Sequence, residues 1–407
     1  MKCRHCGDAL QHVVLDLGCA PPSNAYLTAD QRRSSETYFP LKIQVCENCW
    51  LVQTEDYTTA EDLFTPEYSY FSSTSTSWLD HANVYCERMI LELDLTQNSL
   101  VLEIACNDGY LLKNFVAKEI PCLGIEPAKR TAEVAIKSGI PILQEFFGEH
   151  LGRRLADEGK LSDLIVGNNV YAHVPDINDF TAGLKQALKP RGVITLEFPH
   201  LMELLAGSQF DTVYHEHFSY LSLHVVDRIF FYHGLRIWNV EKLPTHGGSL
   251  RVFGCHNNDP RDTAPSVNDL MEQELAAGLC QKQTYDRLQP KAEKIKHSLL
   301  SFLIDQKILG KTVVGYGAAA KGNTLLNYAG VKVDLLSVVF DAAEAKQGKW
   351  MPGSQIPIQP PQLLYGMAPD YVLIFPWNIA SEIKEQLSNS LPSTTKYLTA
   401  VSELKIL

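Results

Sequence analysis

Two Cys-x-x-Cys pairs, Cys3 with Cys6 and Cys46 with Cys49, constrain this chain more than any other feature. Each pair sits on a tight knuckle, the first closed by Gly7, and two such knuckles can aim four thiolates at one ion in the closed tetrahedral arrangement of structural zinc. Four ordinary buried cysteines would not need the paired spacing. A site closed by four thiolates leaves no position for a substrate, so its expected work is to fold a small domain. Cys19, Cys86, Cys106, Cys122, Cys255 and Cys280 lack such spacing and read as core fillers. Ten cysteines in 407 residues fall far short of a disulfide scaffold and point to a reducing, cytoplasmic setting.

The length calls for two or three domains. With 47 acidic against 36 basic residues and a net charge of −11, no basic stripe exists to neutralise a phosphate backbone, so nucleic acid is not an expected partner. The chain opens on the polar "KCRHCG", and no apolar run approaches the roughly 18 residues needed to cross a bilayer. Neither secretion nor membrane insertion is expected.

Texture divides the chain into four stretches. Residues 1–65 carry the paired cysteines and little helical periodicity, with turn residues at Pro21-Pro22-Ser23-Asn24. Within 66–255, the apolar runs "SLVLEIAC", "IPCLGIEP", "SDLIVGNNV" and "RGVITLEF" alternate with amphipathic stretches, as buried parallel strands alternate with helices in a doubly wound sheet. Residues 256–309 read as a helical connector. Residues 310–407 open on "KTVVGYGAAAKGNTLLNYAG", a second strand-loop-helix unit, followed by the strand-like "LLSVVF" and "DYVLIFPW".

In "VLEIACNDGYLL" a strand carries Glu103 and runs into a turn of Asn107, Asp108 and Gly109. Glu126 ends the next strand, 23 residues after Glu103, where a carboxylate can take both hydroxyls of an adenosyl ribose. One glycine in the first turn gives a pyrophosphate no cradle. S-adenosylmethionine carries no phosphate and needs only close backbone approach, which Gly109 allows, and acidic or amide partners for its ammonium, which Asp108 and Asn107 offer. Phe146 and Phe147 could pack on adenine or serve the core.

The blocks "CRHCG", "CENCWLVQ", "YSYFSSTSTSWLDHA", "EIACNDGYLL", "NNVYAHVPD", "EFPHL", "YHEHFSYLS", "THGGSLRV", "GYGAAAKGNTLLNY" and "MPGSQIPI", in that order, resemble the nucleotide-sugar C-methyltransferase family over essentially the whole chain. The resemblance implies an α/β protein with a SAM-dependent, Rossmann-like methyltransferase core. A small zinc-binding domain would precede this core, and a C-terminal Rossmann-like domain that helps hold the nucleotide sugar would follow it. It implies a reaction centre of Tyr214, Glu216 and His217 with Tyr68 and His173, and adds Asn168 to the cofactor residues and Tyr70 to the substrate residues. Tyr316, Lys321 and Asn323 become candidate contacts to the sugar's nucleotide diphosphate, although a glycine turn that only packs strand on helix would look similar. The loop Ala342-Ala343-Glu344-Ala345 departs from the family, which usually shows a polar residue and proline there.

A methyl cation equivalent delivered to carbon requires a nucleophilic carbon, and a sugar provides one through a ketone whose α-proton is removed. Histidine is the obvious base, and His217 is the expected one, with Tyr214 the alternative. Read as a strand, "TVYHEHF" sends Tyr214, Glu216 and Phe218 to one face and His215 and His217 to the other. His215, His217 and His224 could instead bind a metal. His246 in "THGGSLRV" marks a tight turn, and Arg251 an ion pair. The expected reaction is C-methylation of a nucleotide-linked keto-deoxysugar, thymidine diphosphate being the expected nucleotide, by a monomer. A zinc-ribbon RNA methyltransferase, a non-catalytic interaction protein and an NAD-dependent oxidoreductase built on Gly315 are the competing readings.

Overall fold

The computed structural model describes residues 1–55, Tyr57 and 71–407. Near the N-terminus, β1 (His12–Ala20), β2 (Phe39–Val45) and β3 (Val52–Thr54) form an antiparallel meander. The cysteine knuckles flank it. Gly7 and Trp50 adopt the left-handed conformation, at φ of 78° and 65°, that lets each knuckle close. Their amides donate to the Cys3 and Cys46 carbonyls at 3.0 and 2.8 Å.

All four sulfurs lie within 4.8 Å of one another. The Cys3–Cys49 and Cys6–Cys46 separations of 3.4 and 3.5 Å are too long for a disulfide of about 2.05 Å. They approach the edge of about 3.8 Å expected for a tetrahedron with Zn–S bonds of about 2.3 Å. Gln53 Nε2 donates to Cys3 Sγ at 3.3 Å, a second-layer contact suited to a thiolate. The donor set fits structural zinc. Of the other cysteines, Cys86, Cys106, Cys122 and Cys255 are buried as expected. Cys19 is exposed and Cys280 half-buried, which corrects their assignment as core fillers. Cys19 follows an irregularity in the β1–β2 register that turns it outward.

The central sheet combines β4 (Val101–Ile104), β5 (Cys122–Ile125), β6 (Ile142–Leu143), β7 (Ser162–Asn168) and β8 (Leu188–Pro199) in parallel, in the order β6-β5-β4-β7-β8. β4 is buried along its whole length, as a parallel strand covered by helices on both faces must be. The two-residue β9 (Ser219–Tyr220) leaves this body and pairs with β3 in the N-terminal sheet. β10 (Leu235–Leu243) and β11 (Ser249–His256) then return as an antiparallel hairpin, β11 beside β8. The strand order reverses between β4 and β7, opening a crevice at their C-terminal ends.

The expected connector forms helices Pro265–Ala276, Lys282–Tyr285 and Leu288–Ile308. The last sheet is ordered β14-β13-β12-β15-β16-β17. It comprises β12 (Val313–Tyr316), β13 (Val339–Phe340), β14 (Ile358–Gln359), β15 (Tyr371–Ile374), β16 (Lys396–Thr399) and β17 (Lys405–Ile406). All its pairings are parallel except β16 with β17. Its order reverses between β12 and β15, so this domain too offers a crevice, beside the Gly315–Lys321 loop and Trp377. Among the described residues no helix is long and apolar enough to cross a membrane.

The zinc knuckle is anchored to the core by specific bonds. Arg4 donates to the Pro175 and Thr54 carbonyls at 3.0 and 2.9 Å, and Asn178 Nδ2 donates to the Arg4 and His5 carbonyls at 3.1 and 2.9 Å. Replacing Cys49 by Ser should therefore release the metal and lower folding stability by at least about 3 kcal/mol. Zinc stoichiometry by mass spectrometry and thermal unfolding check this; full zinc occupancy with unchanged melting would contradict it.

Candidate functional site

The first half of the site lies at the ends of β4 and β7. Asn107 and Gly109 are left-handed, at φ of 52° and 79°. A Cβ on Gly109 would come within 2.3 Å of Ile140 Cδ1, so only glycine fits the turn without displacing its neighbours. Glu126 fixes the turn by accepting from the Asn107 amide at 2.9 Å and the Ala128 amide at 2.8 Å. Ser72 N donates to Asn107 Oδ1 at 3.0 Å, and Ser73 Oγ to Asp108 Oδ2 at 2.5 Å, which lays the segment before helix Thr76–Glu92 over the turn. Asp108 Oδ1 and Glu103 Oε2 are buried and have no hydrogen-bond partner among the described residues. Burial, then the neighbouring Asp108 and Glu126, push the Glu103 carboxyl well above its usual range, while burial pushes Glu126 upward. Asn168, at the end of β7, is buried, and neither of its side-chain polar atoms has a hydrogen-bond partner among the described residues.

These acidic groups gathered around an open-backed turn fit S-adenosylmethionine, whose ammonium would relieve their mutual repulsion. Phe147 instead packs edge-on against Phe180 at 5.3 Å, within the helical layer, while Phe146 is exposed.

The second half is the segment 211–222, and here the expected strand alternation fails. A 3-10 turn, Phe210–Thr212, precedes an irregular loop in which the His217 amide donates to the Tyr214 carbonyl at 2.9 Å. The loop brings Tyr214 and His217 to the same side, with ring centroids 4.0 Å apart. His215 points away to the Phe39 and Pro40 carbonyls, each at 3.3 Å. His215, His217 and His224 therefore do not converge as metal ligands; among the described residues the four cysteines are the metal-competent cluster.

His217 Nδ1 lies 3.0 Å from the Thr212 carbonyl, which fixes the tautomer with the proton on Nδ1 and a lone pair on Nε2. His173 stands edge-on to the His217 ring at 4.6 Å and bonds the Glu216 backbone. Burial, and then proximity to His173, hold His217 well below the ordinary imidazole range. Burial lowers His173 and His246 to about 4. All three rings are neutral at physiological pH.

Glu216 is buried, and both its oxygens accept from Asn24 Nδ2, at 2.8 and 2.7 Å. Burial raises its pKa to about 7 in spite of those bonds. The C-terminal domain adds Lys321, whose Nζ lies 4.2 Å from the centre of the Trp377 ring and donates to Asn378 Oδ1 at 2.9 Å. Trp377 Nε1 in turn donates to Asp211 Oδ2 at 2.8 Å. Burial raises Asp211 to about 6 and lowers Lys321.

Of the sequence candidates, His217, Tyr214, His173 and Lys321 gather around one locus. Glu103, Asn107, Asp108, Gly109, Glu126 and Asn168 surround the crevice. Tyr68 and Tyr70 lie outside the described residues. Asn323 is buried and gives its amide to the Ser23 carbonyl, a bond between domains. Tyr316 packs in an apolar cluster with Phe340 and Tyr397. Asn24, Asp211 and Trp377 escaped the sequence reading. Asn24 showed only as turn punctuation, and Trp377 only as the end of an apolar run.

Residues 3–64 match a zinc-binding domain family, 78–240 a methyltransferase domain family, and 244–402 a family described as C-methyltransferase C-terminal domain. C-methyltransferase NovU from Streptomyces niveus is 32% identical over 406 residues, covering 100% of this chain and 96% of that protein. A ubiquinone biosynthesis O-methyltransferase from Bartonella quintana is 29% identical over 99 residues, which are 24% of this chain and 40% of that protein. A SAM-dependent methyltransferase structure from Anabaena variabilis superposes with a TM-score of 0.39 at 13% identity, covering 49% of this chain and 96% of that one.

Replacing Asn24 by Ala would strip Glu216 of its two side-chain hydrogen bonds. The loss falls mainly on the ionised form, which predominates above the folded pKa of about 7. The expected cost is about 1–3 kcal/mol at pH 8 and clearly less at pH 6, where the folded carboxyl is protonated. Urea unfolding at the two pH values measures it; a cost independent of pH would contradict the assignment.

Proposed function

Because this chain belongs to the C-methyltransferase family, with a zinc-binding N-terminal domain and a SAM-dependent core, we propose that it methylates a carbon of a nucleotide-linked keto-deoxysugar. Thymidine diphosphate is the nucleotide expected. The observation that carries the reading is His217, a neutral buried imidazole tethered through Nδ1 and presenting Nε2 beside Tyr214 and His173.

Bound at the Asn107–Gly109 turn, S-adenosylmethionine supplies an electrophilic methyl on a positive sulfur. The protein's task is to make a carbon nucleophilic. His217 Nε2 takes the proton from the carbon next to the sugar ketone, and the C–H electron pair becomes the enolate. The Thr212 carbonyl holds the ring in place and shares the imidazolium charge through Nδ1–H. Burial disfavours that imidazolium in the free enzyme, but an enolate forming alongside offsets the penalty. His173, with Tyr68, would steady the enolate oxygen or position the sugar. Tyr214 is the alternative base. The half-buried Lys321 ammonium, held on Trp377, suits an anionic group of the substrate such as its diphosphate.

Replacement of His217 by Asn should slow turnover by about 10²- to 10⁴-fold. Exchange of deuterium from the α-carbon of the keto-sugar should fall in parallel, while calorimetry shows cofactor affinity unchanged. Normal exchange in that variant would transfer the role to Tyr214. Retention of deuterium through full conversion by the unaltered enzyme would eliminate the enolate route.

A further inference from the structure

Trp78 lies in the first turn of helix Thr76–Glu92 and is only half-buried. Three other rings gather on it. His81 and Tyr110 stack on it at 5.0 and 6.0 Å between centroids, and His246 lies tilted against it at 5.3 Å. His81 is on the same helix, whereas the other two arrive from separate parts of the chain: Tyr110 directly follows Gly109 in the cofactor turn, and His246 sits in the turn between β10 and β11.

Each ring is held in place. His81 Nε2 is bonded to Glu197 Oε2 at 2.9 Å, and Glu197 also accepts from Arg251 at 2.7 Å and Thr245 at 3.0 Å. His246 Nε2 accepts from Asn169 Nδ2 at 3.2 Å, which requires a neutral ring with its proton on Nδ1. Tyr110 is buried. Trp78, Tyr110 and the neutral His246 ring thus present π systems in fixed positions beside the turn where Asp108 Oδ1 and Glu103 Oε2 have no hydrogen-bond partner among the described residues. Those oxygens suit the ammonium of a methionine moiety, and the sulfur of that moiety is only three bonds beyond its α-carbon. A positive sulfur so placed meets aromatic surface rather than water or a counter-ion.

We propose that Trp78, Tyr110 and His246 form an aromatic cage that recognises the sulfonium charge of the cofactor. Rings attract a cation through their quadrupole and have no such interaction with a neutral thioether. The cage would therefore bind S-adenosylmethionine in preference to S-adenosylhomocysteine and let the product leave once the methyl, and with it the charge, has gone. The inference rests on cofactor binding at this turn and is independent of which sugar is methylated.

Calorimetry on the full chain with each of the two nucleosides separately tests it, using the unaltered protein, Trp78→Leu and Trp78→Phe. Trp78→Leu should weaken S-adenosylmethionine about five- to tenfold and change S-adenosylhomocysteine less than about twofold, with Trp78→Phe intermediate. Site-specific fluorinated tryptophan at position 78, which keeps the shape and depletes the π cloud, should weaken only the sulfonium ligand, and covers the case in which Trp78→Leu fails to fold. Equal weakening of both ligands, or no change in either, overturns the cage. Failure of the unaltered protein to bind either ligand would instead overturn the cofactor site itself.

Discussion

Two residues of strand decide where the proposed reaction centre can be. β9 pairs Ser219 with Gln53 and Tyr220 with Val52, and the Thr54 amide reaches the Phe218 carbonyl at 3.1 Å. On its other flank Leu221 accepts from the Leu201 amide at 2.9 Å. The loop that carries Tyr214, Glu216 and His217 is thus stretched between the sheet of the zinc domain and the methyltransferase core. Such a short pairing has little stability of its own. It persists because β3 is fixed, and β3 is fixed because Cys46 and Cys49 just before it are tied to Cys3 and Cys6. The cysteine cluster, closed around a structural metal, therefore helps position the loop that carries His217, about 170 residues away in sequence.

Much of this was legible in the chain. The cysteine spacing indicated the knuckles, and the runs beginning at Ser99, Ile120, Ser162 and Arg191 became the strands expected of them because buried parallel strands are continuous apolar stretches. The turn at Asn107–Gly109 was readable because its conformation excludes other residues. What failed was periodicity outside regular structure. Alternation put Tyr214 and His217 on opposite faces, whereas an irregular loop places their rings in contact, and no local pattern encodes that. Asn24 was silent for a related reason: its partner, Glu216, is 192 positions away. Cys19 misled because an unpaired cysteine is usually buried, and a break in β-register turned this one outward.

Burial dominates the electrostatics of the centre. His173, His217 and His246 lie close enough that three charges would repel strongly, and desolvation keeps each ring uncharged. The same burial raises Glu216 and Asp211 and lowers Lys321. A site arranged in this way carries little fixed charge until a substrate or cofactor brings one in, and any charge created inside it is felt over a longer distance than in water.

The C-terminal domain does more than cap this pocket. Its sheet reverses order between β12 and β15, and beyond β15 Trp377 donates to Asp211 of the core. A Cβ on Gly247 would come within 2.3 Å of the Trp377 ring, so the indole lies directly against the turn that holds His246. Tyr26 from the N-terminal segment donates to the Ala318 carbonyl at 2.6 Å, and Lys346 donates to the same oxygen at 2.9 Å. The Gly315–Lys321 loop is therefore fixed from two directions, one of them Lys346 at the end of the stretch where Ala342–Ala345 departs from the family pattern. That departure falls on half-buried or exposed positions, and the bond from the Ala343 amide to Asp341 Oδ1, 2.7 Å long, needs no particular side chain at position 343. The loop keeps its anchors while its outer residues change. Through Trp377 and Asp211 the end of the C-terminal sheet is tied directly to the segment that leads into Tyr214 and His217, so the two are positioned together.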